Sequence, residues 1–308
     1  MAEEEKTIIN VKNLRKVYKI GNERVVALNN INLEIKKGEV CCILGTSGSG
    51  KSTLLNQLAG LEKPTSGAVY IGKSNISKFS ENRLAGFRQR NIGFVFQSYN
   101  LLSALTAVEN VSLPLMFKGM SKKKREKLAA FMLKQVGLGG RLTHKPTQMS
   151  GGQQQRVGIA RAFVAKPKIV FADEPTGNLD TKTTIEVMEL MVRMSRENNQ
   201  TFVLVTHDSE LAEYADRIVT LIDGNIVSDE PNISKIDRDK AMENPLKTPE
   251  LEENEENIEE NTKKSAKLVY EMAESISGEK YIDENIIKTE EKKTSDDKIK
   301  NEDERGNA

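Results

Sequence analysis

Residues Gly45 to Ser52 read GTSGSGKS: a glycine, four residues, a second glycine, then lysine and serine. These types at this spacing suit a phosphate chain. Gly45, Gly48 and Gly50 let the backbone curl around an anion with no side chain in the way. The N–H groups of the curl, with Thr46, Ser47 and Ser49 between the glycines, and the dipole of a following helix then face the negative charge. Lys51 is predicted to reach the β- and γ-phosphates. The Ser52 hydroxyl is suited to a Mg²⁺ ion, and Thr53 to donation toward the α-phosphate.

A second chemical signal lies downstream. Ile169 to Glu174 reads IVFADE, an apolar run ending in two carboxylates. Acids at the carboxyl end of a parallel strand project into the crevice where nucleotide phosphates sit. Asp173 is predicted to hold Mg²⁺ through a water, and Glu174 to accept a proton from, or orient, an attacking water. Other reactive residue types carry less. Cys41 and Cys42 are adjacent in an apolar run, where neighbours point to opposite faces. They are predicted to be core residues of a reduced protein, not a bridge. His144, before Pro146 and with no second His or Cys near it, reads as structural and not as a metal ligand.

Ser150 to Arg156 reads SGGQQQR and is followed by VGIARA. Here the chain resembles the ATP-binding cassette (ABC) ATPases, whose signature this matches, with Met149 where leucine is usual. The resemblance covers about residues 8 to 228, and its elements occur in the family's order. It implies ATP and Mg²⁺ as ligands and gives further residues a role. Tyr18 looks like the aromatic that stacks on adenine. Gln97 looks like the glutamine that touches Mg²⁺ and the attacking water, and whose loop senses a transport partner. His207, after FVLVT, looks like the histidine that contacts the γ-phosphate. Gly177-Asn178-Leu179-Asp180 looks like the loop before the next helix through which Asp180 reaches the site. Ser150, Gly151, Gly152 and Gln153 open a helix, so their N–H groups form a second anion site. In the family that site covers the γ-phosphate bound by a second copy, which implies a homodimer with two composite sites. The GNLD variant, with TAVENVSLPL, resembles a subgroup serving macrolide exporters, lipoprotein-release systems, bacitracin-type peptide resistance systems and the cell-division pair.

These residues need positioning. Alternation from Ile8 to Ile35, with Gly21-Asn22 and Asn29-Asn30 at turn positions, predicts an antiparallel meander. Val40–Leu44 predicts a strand buried on both faces, and Ser52–Leu61 a helix. Strands are predicted at Ala68–Ile71, in Asn91–Gln97, and at Ile169–Ala172, Phe202–Val205 and Ile218–Leu221. Residues 104 to 143 read as helix-rich, with Leu128, Phe131, Met132 and Val136 at helical spacing. The basic stretch Lys118 to Lys127 reads as a solvated helix start. Alternating strands and helices predict an α/β P-loop NTPase core with an antiparallel β subdomain and a helical subdomain over about residues 98 to 160.

Composition sets the outer limits. The 308 residues are 37% hydrophobic and 30% charged, suggesting one foldable body plus a solvated segment. The net charge of +1 is uneven: residues 1–228 hold 32 Lys/Arg against 21 Asp/Glu, and residues 229–308 hold 14 against 24. The body is therefore predicted at 1–228 and an acidic, disordered extension at 229–308, with Leu268, Met272 and Ile276 able to form one short helical stripe. The N-terminus lacks an apolar signal core, and no apolar run approaches the roughly 20 residues of a membrane helix. The expected setting is cytoplasmic, peripheral on the inner face of the cell membrane through a separate integral-membrane permease, with no nucleic acid. Two rivals stay open: a nucleic-acid or ribosome ATPase, against which stand the single cassette and the lack of a long coiled coil, and a cell-wall regulator of the division type.

Overall fold

The computed structural model describes residues 7–233. β1 (Thr7–Ile20) and β2 (Glu23–Lys36) form a hairpin about Gly21-Asn22. The pairs Val11↔Leu33, Leu14↔Ile31 and Lys16↔Leu28 place one extra residue first on β1 and then on β2. Asn13 (φ 48°) and Asn30 (φ 53°) take up the left-handed backbone at these two bulges. Asn29-Asn30 is thus not the turn expected from the sequence. Asparagine tolerates the same conformation in a bulge as in a turn, and only the pairing partner distinguishes them.

The remaining elements follow in order: β3 (Val40–Leu44), α1 (Lys51–Leu58), β4 (Ser66–Ile71), β5 (Ser74–Asn75), α2 (Glu81–Asn91) and β6 (Ile92–Phe96). Then come α3 (Ala107–Phe117), α4 (Lys122–Gln135), α5 (Gly151–Phe163), β7 (Ile169–Asp173), α6 (Thr181–Glu197), β8 (Thr201–Thr206), α7 (Ser209–Ala212), β9 (Arg217–Ile222) and β10 (Asn225–Pro231). One sheet has the order β2-β1-β4-β5 and is antiparallel. The other has the order β10-β9-β3-β8-β7-β6, parallel except for the β10 edge.

The central strands are apolar throughout because both of their faces are covered. Val40, Cys42, Val170, Ala172, Phe202 and Leu204 join a core with α3 to α6. Their neighbours Cys41, Ile43, Ile169, Phe171, Val203 and Val205 join a second core with α1 and the antiparallel sheet. The two cysteines therefore face opposite ways, both free and buried, and burial pushes the Cys42 thiol up to about 12. On β6, Gly93 lies against α5: a β-carbon there would collide with the Ala162 carbonyl oxygen and meet Pro167 at 3.0 Å. Gly93→Ala is expected to cost about 1–3 kcal/mol by overpacking. Urea unfolding measures it, and an unchanged midpoint would show that α5 yields at this point.

Two expected limits move. α5 runs on to Phe163, beyond residue 160. The composition break after Ser228 falls inside β10, which continues to Pro231 and pairs Asp229 with Val219. β10 is an edge strand with a mostly exposed, polar sequence, so its pairing left no apolar signal. The expected extension beyond 233, with Leu268, Met272 and Ile276, lies outside the described residues. Among the described residues no helix is long and apolar enough to cross a membrane.

Candidate functional site

The parallel strands end level with one another. Leu44 lies beside Thr206, Asp173 beside Val205, and Phe96 beside Asp173. The next residue on each chain is therefore delivered to one edge: Gly45 after β3, Gln97 after β6, Glu174 after β7 and His207 after β8. This is the crevice at the carboxyl ends of a parallel sheet. It forms an open cleft of about 820 Å³ whose wall includes Thr46, Ser47, Gly48, Gly50, Lys51, Ser52, Thr53, Gln97, Glu174 and His207.

The phosphate loop is shaped by its glycines and its neighbours. Gly50 has φ 100°, and a β-carbon on it would stand 2.5 Å from the Ala27 carbonyl oxygen, so only glycine fits there. Gly50 is also the N-cap of α1, and no side chain caps that end. The first N–H groups of α1 are thus left for an anion. Lys51 is nearly buried, and its Nζ donates to the carbonyls of Gly45 (2.8 Å) and Thr46 (2.9 Å). Gly45 and Ser49 do not line the cleft. Gly45 packs against the Leu221 backbone, and the Ser49 side chain is buried. Their backbones hold the loop: the Gly224 N–H donates to the Ser49 carbonyl at 2.9 Å.

Across the cleft the carboxylates are differently placed. Asp173 stands behind Ser52, whose hydroxyl donates to Asp173 Oδ1 at 3.2 Å. Burial pushes the Asp173 carboxyl above its usual range, and the charge of Glu174 adds to this, while the Ser52 hydroxyl and Lys51 oppose it. The Asp173 carboxylate beside the Ser52 hydroxyl oxygen is a donor pair suited to a hard divalent cation. Glu174 has the left-handed backbone (φ 45°), with its N–H on the Val205 carbonyl at 2.9 Å. Both of its carboxylate oxygens lie 2.9 Å from His207 Nδ1. A non-glycine residue in that conformation is uncommon and marks a position where the surroundings dictate the backbone.

The family model described as ABC transporter matches residues 28–177. An ABC transporter ATP-binding protein of Methanocaldococcus jannaschii is 51% identical over 220 residues, covering 71% of this chain and 98% of that protein. The lipoprotein-releasing system ATP-binding protein LolD of Geobacter metallireducens is 47% identical over 223 residues, covering 72% and 99%. A dimeric, post-hydrolysis structure of the M. jannaschii cassette MJ0796, bound to ADP and Pi, superimposes with a TM-score of 0.68 at 47% identity, covering 72% and 98%. The chain belongs to the ABC transporter family. Its fold is that of an ABC cassette, an ATP-binding and ATP-hydrolysing unit of a transporter.

The other expected site residues of this ABC cassette lie outside the cleft wall. Ser150 is exposed and caps α5: its Oγ accepts from the Gln153 N–H (3.3 Å), while Gln153 Oε1 accepts from the Ser150 N–H (3.2 Å). Gly151 and Gly152 begin that helix, with the Tyr99 hydroxyl packed over Gly151 and Thr183 beside Gly152. The Asp180 carboxylate is engaged at the start of α6, accepting from the Thr183 N–H (3.0 Å) and hydroxyl (2.7 Å). These bonds hold it below the usual carboxylate range. Tyr18 pairs with Val25 of the cleft wall across β1 and β2, its hydroxyl on Glu62 Oε2 at 2.6 Å. His144 bonds Arg141 at 2.8 Å, in keeping with a structural role.

Several residues with no individual role expected from the sequence also belong here. Val25 and Val26 line the cleft mouth at 44% and 42% exposure, an apolar surface beside the phosphate loop. Asn178 donates to the Gln97 carbonyl at 3.1 Å and so joins two of the loops. Arg161 on α5, with its charge buried, donates to the carbonyls of Asn100 and Tyr99 (2.8 Å to the latter). Tyr99 (φ 59°) and Asn100 (φ 48°) are both left-handed, so the segment after Gln97 is pinned to the signature helix. The sequence carried no signal for these links except Asn100, since asparagine tolerates that backbone.

Proposed function

We propose that this cassette works as a two-fold pair on the cytoplasmic face of a separate permease, and that hydrolysis at two shared sites moves that permease. One observation carries the reading. Lys51, Ser52, Gln97, Glu174 and His207 line one cleft, while Ser150 to Gln153 at the tip of α5 form no part of its wall. A second copy, related by a two-fold axis, would bring its α5 tip against the phosphates and close the cleft. The dimeric form of the related cassette supports this.

The residues divide the work. Thr46 to Thr53 cradle the phosphates, and Lys51 would exchange its bonds to Gly45 and Thr46 for the β- and γ-phosphates. Ser52 and Asp173, with Gln97 nearby, would hold Mg²⁺, which neutralises phosphate charge. Glu174 takes the proton of the attacking water, and His207 holds the Glu174 carboxylate until the γ-phosphate claims the imidazole. Asp180 orders the loop leading into α6.

Domain limits follow the same reading: the body extends through β10, the helical part is α3 to α5, and the acidic segment after it is an extension. The cargo we propose is an amphiphile, namely a lipoprotein, macrolide or antimicrobial peptide. The likeness to a lipoprotein-releasing ATPase supports this. Docking is proposed through the segment after Gln97 and the adjoining helices. Co-expression with a candidate permease tests the arrangement. The cassette should float with membranes only when that permease is present, and its ATPase rate should respond to candidate cargo. Co-sedimentation with ribosomes in place of membranes would overturn it.

A further inference from the structure

The Tyr18 ring, expected from the sequence to stack on adenine, is held by a group of neighbouring side chains. Lys16, two residues earlier on β1, directs its ammonium over the Tyr18 ring, 5.0 Å from the centroid. The same Nζ lies 3.1 Å from Glu62 Oε2 and donates to the Lys63 carbonyl at 2.9 Å. Glu62 Oε2 accepts from the Tyr18 hydroxyl at 2.6 Å, and Glu62 Oε1 accepts from Asn56 Nδ2 at 3.2 Å. Lys16 is well shielded, at 14% side-chain exposure, and Glu62 is at 32%.

This cluster has a particular relation to the phosphate loop. Glu62 sits in the turn that ends α1, where its N–H bonds the Asn56 carbonyl at 3.3 Å. Thr53, in the first turn of the same helix, also bears on the Tyr18 hydroxyl. Platform and phosphate cradle are therefore fastened to one short helix, which sets the distance between them. Burial pushes the Glu62 carboxyl up, but bonds from Tyr18, Lys16 and Asn56 and the Lys16 charge outweigh it, leaving Glu62 below its usual range. The carboxylate stays charged and available to hold the phenol.

We propose that Lys16 and Glu62 are positioning residues for the purine base: Lys16 occupies one face of Tyr18, Glu62 fixes its hydroxyl, and a single ring face is left for adenine. A cation under an aromatic ring is attracted by the ring's quadrupole, and a ring that cannot turn loses less freedom when a base stacks on it. The inference rests on the reading of Tyr18 as the adenine platform, and the test separates the two.

Steady-state ATP hydrolysis by the full chain is measured with competitive inhibition by inorganic tripolyphosphate, which has no base. Lys16→Met and Glu62→Ala are each expected to raise KM for ATP about fivefold. kcat should stay within about twofold, and tripolyphosphate inhibition should be unchanged, since the loop that grips phosphate is intact. Lys16→Arg, which keeps a cation over the ring, is expected to restore KM. An unchanged KM in Lys16→Met and Glu62→Ala, alongside a raised KM in Tyr18→Ala, overturns the positioning role while leaving the platform. A tripolyphosphate inhibition constant that rises in step with KM overturns it too, by showing damage to the phosphate loop. An unchanged KM in Tyr18→Ala removes the platform, and the positioning role with it.

Discussion

Glu174→Gln is expected to bind ATP normally and to lose turnover by about 10²–10³-fold. The amide has the shape of the carboxylate, and the backbone at residue 174 is held independently by its N–H on the Val205 carbonyl. The site should therefore keep its form while losing a group able to take a proton. The contact with His207 loses its charge at the same time. If hydrolysis is what parts two copies, the variant should accumulate as dimers with ATP trapped between them. Phosphate release and gel filtration with ATP read the two effects separately. Turnover near that of the unaltered chain would remove Glu174 from the chemistry. Slow turnover without dimers would keep Glu174 but separate hydrolysis from association.

Ser150→Arg is expected to reduce turnover by about 10²-fold or more while each chain still binds ATP. Ser150 is exposed and lies outside the wall of its own cleft, so the change does not touch the phosphate loop of the chain that carries it. It removes the bond from the Gln153 N–H to the Ser150 Oγ, costing about 1 kcal/mol of helix stability. It also places a long side chain at the helix tip where a partner's phosphate would lie. Loss of a cap alone would lower the melting temperature with little effect on rate at low temperature. Turnover against ATP-binding affinity, measured on the same preparation, makes the distinction. Full activity in this variant, from a protein that stays monomeric, would end the shared-site reading.

The sequence showed the site more clearly than the fold that surrounds it, for a physical reason. Gly45, Glu174 and His207 each come at or one residue past the end of an apolar run because their strands are buried on both faces, and a strand's end is where its polar residues emerge. Those runs needed no knowledge of partners. What was hidden depended on contacts between distant segments. The bulges at Asn13 and Asn30 exist only in the pairing of β1 with β2. α2 buries only Leu84, so its sequence has no apolar stripe to read. β10 is polar because its edge faces solvent. The bonds from Arg161 to Tyr99 and Asn100 span about sixty residues, and those joining Lys16, Tyr18 and Glu62 cross from β1 to the turn after α1. No local pattern announces either group.

That the α5 tip stands outside the wall that holds the phosphate loop of the same chain has a consequence for inheritance. If two copies share their centres as proposed, random pairing in a cell making an intact and a defective copy in equal amounts gives about half mixed pairs. In each of these one centre is whole, whether the fault is at Lys51 or at Ser150. The two kinds of fault differ when they meet. A chain broken at Lys51 still lends a sound helix tip, and one broken at Ser150 still lends a sound loop. Together they concentrate both defects in one centre and leave the other clean. Two alleles that are each null alone should thus complement one another across classes, and two of the same class should not.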